Sequence, residues 1–341
     1  MGDGIDVHGH GVPSALIEEA RRAGERFGGV TVEQDGDAIV VTFPGEKPLR
    51  PVPRDMSDVS KRCEWLRQNG LAKQLVSPWV DIQGVNMDPS AGRQWAAMVN
   101  EKMAEWCEAA GDMLAPLATL HLADSTSAAE ELQRAAEELG CVGAMLQTHH
   151  RYGTLNVEGW EALWEVSEAL ELPIVLHPPM SGPTKLDGDQ QGLGFRALWG
   201  RPMDTTVLAA SLLLEKLFDR YPRVRVVLVH GGGYLPYQAN RIDGEVARGR
   251  TGSSLGEELP SSQVGKFYFD TTLMSAAAIK MLVESYGADH VVLGSDYPLF
   301  AKIVAPCSEL EGARIDGRAR DMVSWESAER LFPRLRGNVR Q

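Results

Sequence analysis

Eight short runs rich in valine, isoleucine and leucine punctuate the 341-residue chain, at about 4–8, 71–77, 113–119, 142–147, 172–177, 224–230, 267–270 and 290–295. Each is closed by a polar, glycine or proline break, and most lead into a longer stretch with helical spacing. That spacing predicts helices over 56–69, 89–110, 125–139, 157–170, 203–219 and 275–287, the third behind the cap candidates Asp124, Ser125 and Thr126. Apolar runs of this kind are buried on both faces, and βα alternation makes neighbouring strands parallel. Eight such units predict a (β/α)8 barrel, with an open doubly wound sheet as the alternative. Length does not oppose a single domain over 1–341, because a barrel of this type takes ~250 residues or more.

Two segments break the rhythm. Over 28–53, Ile39-Val-Val-Thr-Phe43 follows the turn-like Asp35-Gly36-Asp37, which predicts a small hairpin inserted after the first barrel strand and acting as a lid. The tail over 306–341, helical from Arg318 to Leu331, is expected to pack against the outside of the barrel bottom as a C-terminal extension.

Composition narrows the partners. Hydrophobic residues make up 43% and charged residues 24%, which excludes a disordered or fibrous chain. The formal net charge of −13, without a dense run of Lys or Arg, argues against nucleic acid or an anionic membrane surface and for a small-molecule substrate. Cys63, Cys107, Cys141 and Cys307 are scattered without a CxxC pair, so reduced thiols in a cytoplasmic protein are expected. The N-terminus has no basic-then-apolar leader, and no stretch approaches the ~18 apolar residues of a membrane span.

Active sites of this barrel sit at the C-terminal ends of its strands, and five ionisable residues fall there. His8 and His10 end the first strand on one face, about 6.7 Å apart along it, which suits a shared metal ion. His177 closes Ile174-Val-Leu-His, His230 closes Val226-Val-Leu-Val-His, and Asp296 closes Val291-Val-Leu-Gly-Ser-Asp. Any one of them is explained as a hydrogen-bonded core or turn residue, whereas their joint placement points to a metal site. Of the remaining histidines, His290 precedes its strand and is expected to be solvated at the wrong end, and His121 to lie in a surface loop. His149 and His150 follow strand four at the correct mouth and are candidates for substrate contact.

On Ile5-Asp-Val-His-Gly-His10, Leu176-His177-Pro178, His230-Gly-Gly-Gly-Tyr-Leu-Pro-Tyr-Gln-Ala-Asn-Arg241 and Gly287-Ala-Asp-His-Val-Val-Leu-Gly-Ser-Asp-Tyr-Pro298, the chain resembles the amidohydrolase superfamily. The resemblance is to the branch of aminocarboxymuconate semialdehyde decarboxylase and related aromatic acid decarboxylases, and it covers most of the barrel. It implies one divalent ion, most often Zn2+ and in some cases Mn2+, held by His8, His10, His177 and Asp296, with His230 left free to move protons. Two-metal relatives use a modified Lys at the end of strand four, and Val142-Gly-Ala-Met-Leu-Gln147 offers none.

The resemblance further implies a metal-dependent, non-oxidative decarboxylase of a small conjugated or aromatic carboxylic acid, with His230 and Asp296 as catalytic residues. The alternative is a hydrolase cleaving a C–C, ester or lactone bond of an aromatic-degradation intermediate. Arg50 falls where the relatives bind a carboxylate. Arg241 matches an arginine that reaches the neighbouring subunit's site, which implies a homodimer. Relatives often carry an aromatic residue two positions after the strand-five histidine, where this chain has Pro179, Met180 and Ser181. Phe195, Trp199 and Tyr297 are available to rebuild that wall, with barrel-to-helix packing as the other reading and the favoured one for Trp199. Gly231-Gly232-Gly233 lets the backbone turn sharply beside the site. It lacks the Lys-Ser/Thr of a phosphate loop.

Overall fold

A computed structural model of the chain describes residues 4–180, 182–184, 194–252 and 258–336. Eight parallel strands form the barrel wall: β1 Gly4–Gly11, β4 Leu71–Pro78, β5 Leu114–Pro116, β6 Ala144–Gln147, β7 Ile174–His177, β8 Val226–Leu228, β9 Tyr268–Asp270 and β10 Val291–Val292. The remaining pair, β2 Thr31–Asp35 and β3 Ala38–Thr42, is an antiparallel hairpin after the first strand. Ladders join β1, β4 and β5 in one arc and β10, β9, β8, β7 and β6 in another.

Parallel bridges Gly9–Tyr297 and Ala118–Ala144 join the arcs at both seams. At the first seam Val7 N–H donates to Leu293 O at 2.9 Å and Asp296 N–H to His8 O at 2.8 Å; at the second, Met145 N–H donates to Ala118 O at 2.9 Å. The fold is therefore the expected (β/α)8 barrel, and its closure brings residues from opposite ends of the chain side by side.

Helices α1 Ser14–Ala23, α2 Val59–Gln68, α3 Pro89–Glu108, α4 Ser125–Glu138, α5 Glu161–Ala169, α6 Arg201–Leu214, α7 Leu217–Arg220, α8 Leu235–Ala247 and α9 Ala276–Tyr286 cover the outside. Leu176, Leu228 and Leu293 face them, while Val175, Val227 and Val292 fill the interior, the alternation that a two-sided strand requires. Asp124 caps α4 by accepting from Ser127 N–H at 2.8 Å. Helices α1 and α8 were not expected from the spacing: α1 has no side-chain cap, and α8 starts behind a glycine run with Pro236 in its first turn.

At the barrel base, α10 Pro306–Gly312, α11 Gly317–Asp321 and α12 Ser327–Leu331 follow the last strand. Rather than resting only on the outside, Leu331 and Phe332 join the interior cluster with Ile5, Leu117 and Val142, so the chain end plugs the barrel. Residues 337–341 of that extension, and Ser181, lie outside the described residues.

Candidate metal centre

One bulge sets the orientation of the first two histidines. Ile5 and Val7 belong to the interior cluster, so strict alternation would send His8 and His10 outward. Three steps of β1, from Asp6 to Gly9, instead span two steps of β4, from Gln74 to Val76. The extra residue turns the strand and brings both imidazoles inward. Gly9 is required there, because a Cβ would lie 2.5 Å from Gln74 Cδ. Asp6 ties the bulge together: its carboxylate accepts from His8 N–H at 3.0 Å, Gln74 Nε2 at 2.6 Å and Ser295 Oγ at 2.5 Å. Burial pushes this carboxyl up to about 6 against those hydrogen bonds.

His8, His10, His177 and Asp296, all fully buried, each aim one ligand atom at a common point, and these atoms lie within 4.8 Å of one another. Each histidine uses its other nitrogen as a strut. His8 Nδ1 is 2.6 Å from Asp270 Oδ2, His10 Nδ1 2.9 Å from Ser77 Oγ, and His177 Nδ1 2.9 Å from Pro178 O. The three Nε2 atoms and both Asp296 oxygens are buried and face only one another and His230, with His10 Nε2 3.0 Å and His8 Nε2 3.6 Å from Asp296 Oδ1; none has a hydrogen-bond partner outside this group. Orphaned acceptors of this kind are costly unless something fills the space between them, and three imidazoles with one carboxylate are a donor set for a single divalent ion.

Protonation of three of the four groups agrees with that reading. Burial pushes His10 down to about 4 and His177 well below its ordinary value, which leaves both neutral at pH 7. For Asp296 burial acts upward, but the charge of His8 and contacts from His10 and His230 outweigh it and hold the carboxyl well below its usual range. His8 moves the other way: burial is overcome by Asp296 and Asp270, which raise it. Among the described residues, no other group of His, Cys, Asp and Glu converges in this way.

His230 stands beside the cluster, its Nε2 3.6 Å from Asp296 Oδ2 and its ring centroid 5.2 Å from that of His177. Burial lowers its imidazole. The backbone at His230 and at Asp296 is left-handed, with φ 54° and 55°, a conformation that costs a non-glycine residue of order 1–3 kcal/mol. Strain of this kind accumulates where a side chain must point in one direction. Gly233, at φ 64°, is pressed to within a Cβ distance of 2.2 Å from Pro202 O, so only glycine fits where this loop meets α6.

A cleft of about 300 Å³ opens at the same end of the barrel, lined by Phe43, Arg50, Asp81, Gln147, Pro179 and Met180. The insert supplies its outer wall. A second cavity, of about 420 Å³, lies at the opposite end between β1, β4 and the C-terminal helices, remote from the histidines. Arg50 is in the first cleft but already paired, its Nε 2.8 Å from Asp81 Oδ2 and its guanidinium 4.7 Å over the Trp79 ring.

The Arg241 side chain is 73% exposed and, among the described residues, its ion-pair contact is a long one, 3.9 Å to Glu245. Trp199 is not packed under a helix: it is 54% exposed and stacks on Tyr234 at 6.4 Å. Phe195 is half-buried just ahead of α6, and Tyr297 is buried against Trp65.

Two expectations for the other histidines are corrected. His121 is buried, with Nε2 3.0 Å from Met87 O, because its loop folds under α3 instead of over the surface. His290 does lie at the far end but is half-buried, stacked on Tyr268 at 4.7 Å with Nδ1 3.0 Å from Phe267 O. His150 is buried against Trp160, and His149 is half-buried beside it.

Two buried groups beside the site escaped the sequence reading. Asp270, which holds His8, ends a strand that was expected, so the strand-end rule would have found it. Arg201, buried at the start of α6, stands just ahead of the 203–219 stretch read as helical and at no strand end, so neither signal singles it out.

A family model described as amidohydrolase matches residues 5–334. Gamma-resorcylate decarboxylase of Polaromonas sp. (strain JS666 / ATCC BAA-500) is 27% identical over 297 residues, covering 83% of this chain and 89% of the relative. The 2-amino-3-carboxymuconate-6-semialdehyde decarboxylase of Dictyostelium discoideum is 26% identical, covering 86% and 81%. Among solved structures, 5-carboxyvanillate decarboxylase from Sphingomonas paucimobilis superposes with a TM-score of 0.78 at 26% identity, over 97% of this chain and 99% of the other. A dihydroxybenzoic acid decarboxylase from Polaromonas sp. JS666, with bound manganese and the inhibitor 2-nitroresorcinol, has the same fold at a TM-score of 0.77 and 22% identity, over 98% and 97%.

Proposed function

The chain belongs to the amidohydrolase family, and from that premise we propose that it is a metal-dependent, non-oxidative decarboxylase of a small aromatic or conjugated carboxylic acid. The convergence of His8, His10, His177 and Asp296 on one point, with His230 beside them at the barrel mouth, carries the reading. The named relatives, which are decarboxylases of such acids, support the choice of reaction.

In this reading His8, His10, His177 and Asp296 hold one divalent ion. An imidazole-rich set suits zinc, the carboxylate accommodates manganese, and a structural neighbour carries the latter. Bound there, the ion supplies Lewis-acid polarisation of a substrate oxygen. The protein's own groups do the rest. Asp296 orients His230 through their 3.6 Å contact, and His230 holds and delivers the proton. As the bond to the carboxylate breaks, carbon dioxide leaves and its bonding pair remains on the ring or chain carbon, which takes that proton. Neither electrons nor water are gained overall.

Arg50 faces the substrate from the cleft, Phe195 contributes to substrate binding from the turn ahead of α6, and the insert over 28–53 closes the cleft. The protein is a homodimer in which Arg241 reaches the neighbouring site. Its exposure supports this, as does an apolar surface nearby, with Trp199 54% and Tyr237 79% exposed, because contiguous exposed apolar residues mark contact surfaces. Trp199 then serves the substrate pocket from that contact. All four cysteines are free, which favours a reducing, cytoplasmic setting. No helix among the described residues is long and apolar enough to cross a membrane.

The test is carbon dioxide release from a panel of hydroxybenzoic, carboxyvanillic and muconate-type acids. Metal-dependent release without net uptake of water supports the proposal. Cleavage of esters or lactones with no release from any acid rejects it.

A further inference from the structure

Four arginines surround the metal centre, and three have strong partners. Arg50 is paired with Asp81 at 2.8 Å. Arg62 donates to Gln74 Oε1 at 2.6 Å and to His10 O. Arg196 is paired with Asp204 and donates to Pro179 O at 2.9 Å and Met180 O at 3.1 Å.

Arg201 differs. It is only 9% exposed, its Nη2 makes one long contact of 3.5 Å to Pro178 O, and its Nε is buried with no partner. Among the described residues no carboxylate lies within ion-pair distance of it. Guanidinium cannot shed its charge at any ordinary pH, so a buried one without an anion is a standing cost that an arriving anion removes.

Its position gives that anion a role. Pro178 directly follows His177, so the guanidinium sits against the residue next to a metal-binding position. Pro178 is also followed directly by Pro179, which lines the cleft, so the guanidinium lies against the short stretch of chain that joins the metal centre to the cleft. Building on the proposed decarboxylase, we infer that Arg201 anchors a second anionic group of the substrate, so that the preferred substrate is a dianion: one carboxylate at the metal centre, which is lost, and another on Arg201, which stays. Arg50 is then the lesser anchor, since Asp81 already satisfies it.

The test uses two unreactive probes on the manganese-loaded, full-length protein. The first is 4-hydroxy-3-methoxy-5-nitrobenzoate, whose nitro group stands in for the leaving carboxylate. The second is 2-methoxy-6-nitrophenol, the same molecule without its carboxylate.

Calorimetric titration of the wild type should give at least about tenfold tighter binding of the first probe, the scale of one charge-assisted hydrogen-bonded pair. Arg201→Met should bring the two affinities together while leaving metal content and nitrophenol binding unchanged, and Arg201→Lys should keep part of the preference. If Arg201→Met does not fold, Arg201→Gln, which keeps polarity without charge, serves in its place. A wild type that does not discriminate, a preference that survives loss of the guanidinium, or equal weakening of both probes would overturn the inference.

Carbon dioxide release reads the reaction separately. Turnover of an acid with an Arg201-independent preference rejects the anchor alone. An Arg201-dependent preference without release from any acid rejects the reaction alone.

Discussion

Asp270 Oδ2 lies 2.6 Å from His8 Nδ1 with both side chains fully buried, so one carboxylate fixes which nitrogen of His8 is free to bind metal. The same carboxylate accepts from Gly231 N–H at 2.9 Å, which ties the glycine turn after His230 to the same post. Asp270→Asn should therefore weaken metal affinity about 10–100-fold without unfolding the barrel, measured by competition with a chelator. Unchanged affinity would mean that the contact does not orient His8.

His230→Ala should retain one equivalent of metal and lose about 10²–10⁴ in turnover, because His230 touches Asp296 but is not needed to complete the ligand set. Loss of the metal in this variant would make His230 a ligand and leave the proton unassigned.

Removing the metal should destabilise the fold. With free ion at 100 times its Kd, the unfolding free energy should rise by about 2.7 kcal/mol over the chelated protein, read from denaturant melts. The sign with pH follows from the buried imidazoles. Burial lowers His10 and His150 from 6.5 to about 4, and His177 and His230 in the same direction. Together these outweigh the opposite contributions of Asp6, raised from 3.8 to about 6, and of His8, also raised. Between 6.5 and about 4 the unfolded chain binds more protons than the folded one, so metal-free stability should fall as pH drops from 6.5 toward 4 and level off above that window. A stability that rises on acidification would contradict the buried neutral imidazole.

Arg241 is tested by mixing. Arg241→Ala and His230→Ala should each be nearly inactive, and combining them should restore activity, since a hybrid dimer contains one site with His230 from one subunit and Arg241 from the other. Absence of rescue, or full activity in a species that light scattering shows to be monomeric, would rule out a shared site.

Much of the barrel was legible because buried parallel strands are nearly uninterrupted apolar runs, and His177 and Asp296 stand where such runs stop. His8 and His10 were paired correctly by their spacing, yet the face they occupy depends on the bulge at Asp6–Gly9, which a period of two cannot reveal. Asp270 was within reach of the strand-end rule but has no neighbouring motif. Arg201 was not, because its burial and lack of a partner arise from how α6 folds back against Pro178. His121 looked like a loop residue and is a buried one, since burial of a loop depends on the helix above it.

Elemental analysis of purified wild-type protein and four single variants, His8→Ala, His10→Ala, His177→Ala and Asp296→Ala, tests the metal centre most directly. One equivalent of a divalent transition metal per chain in the wild type, falling toward zero in each variant while circular dichroism stays barrel-like, is the predicted result. A metal-free wild type under metal-replete conditions, or variants that keep their ion, would contradict it.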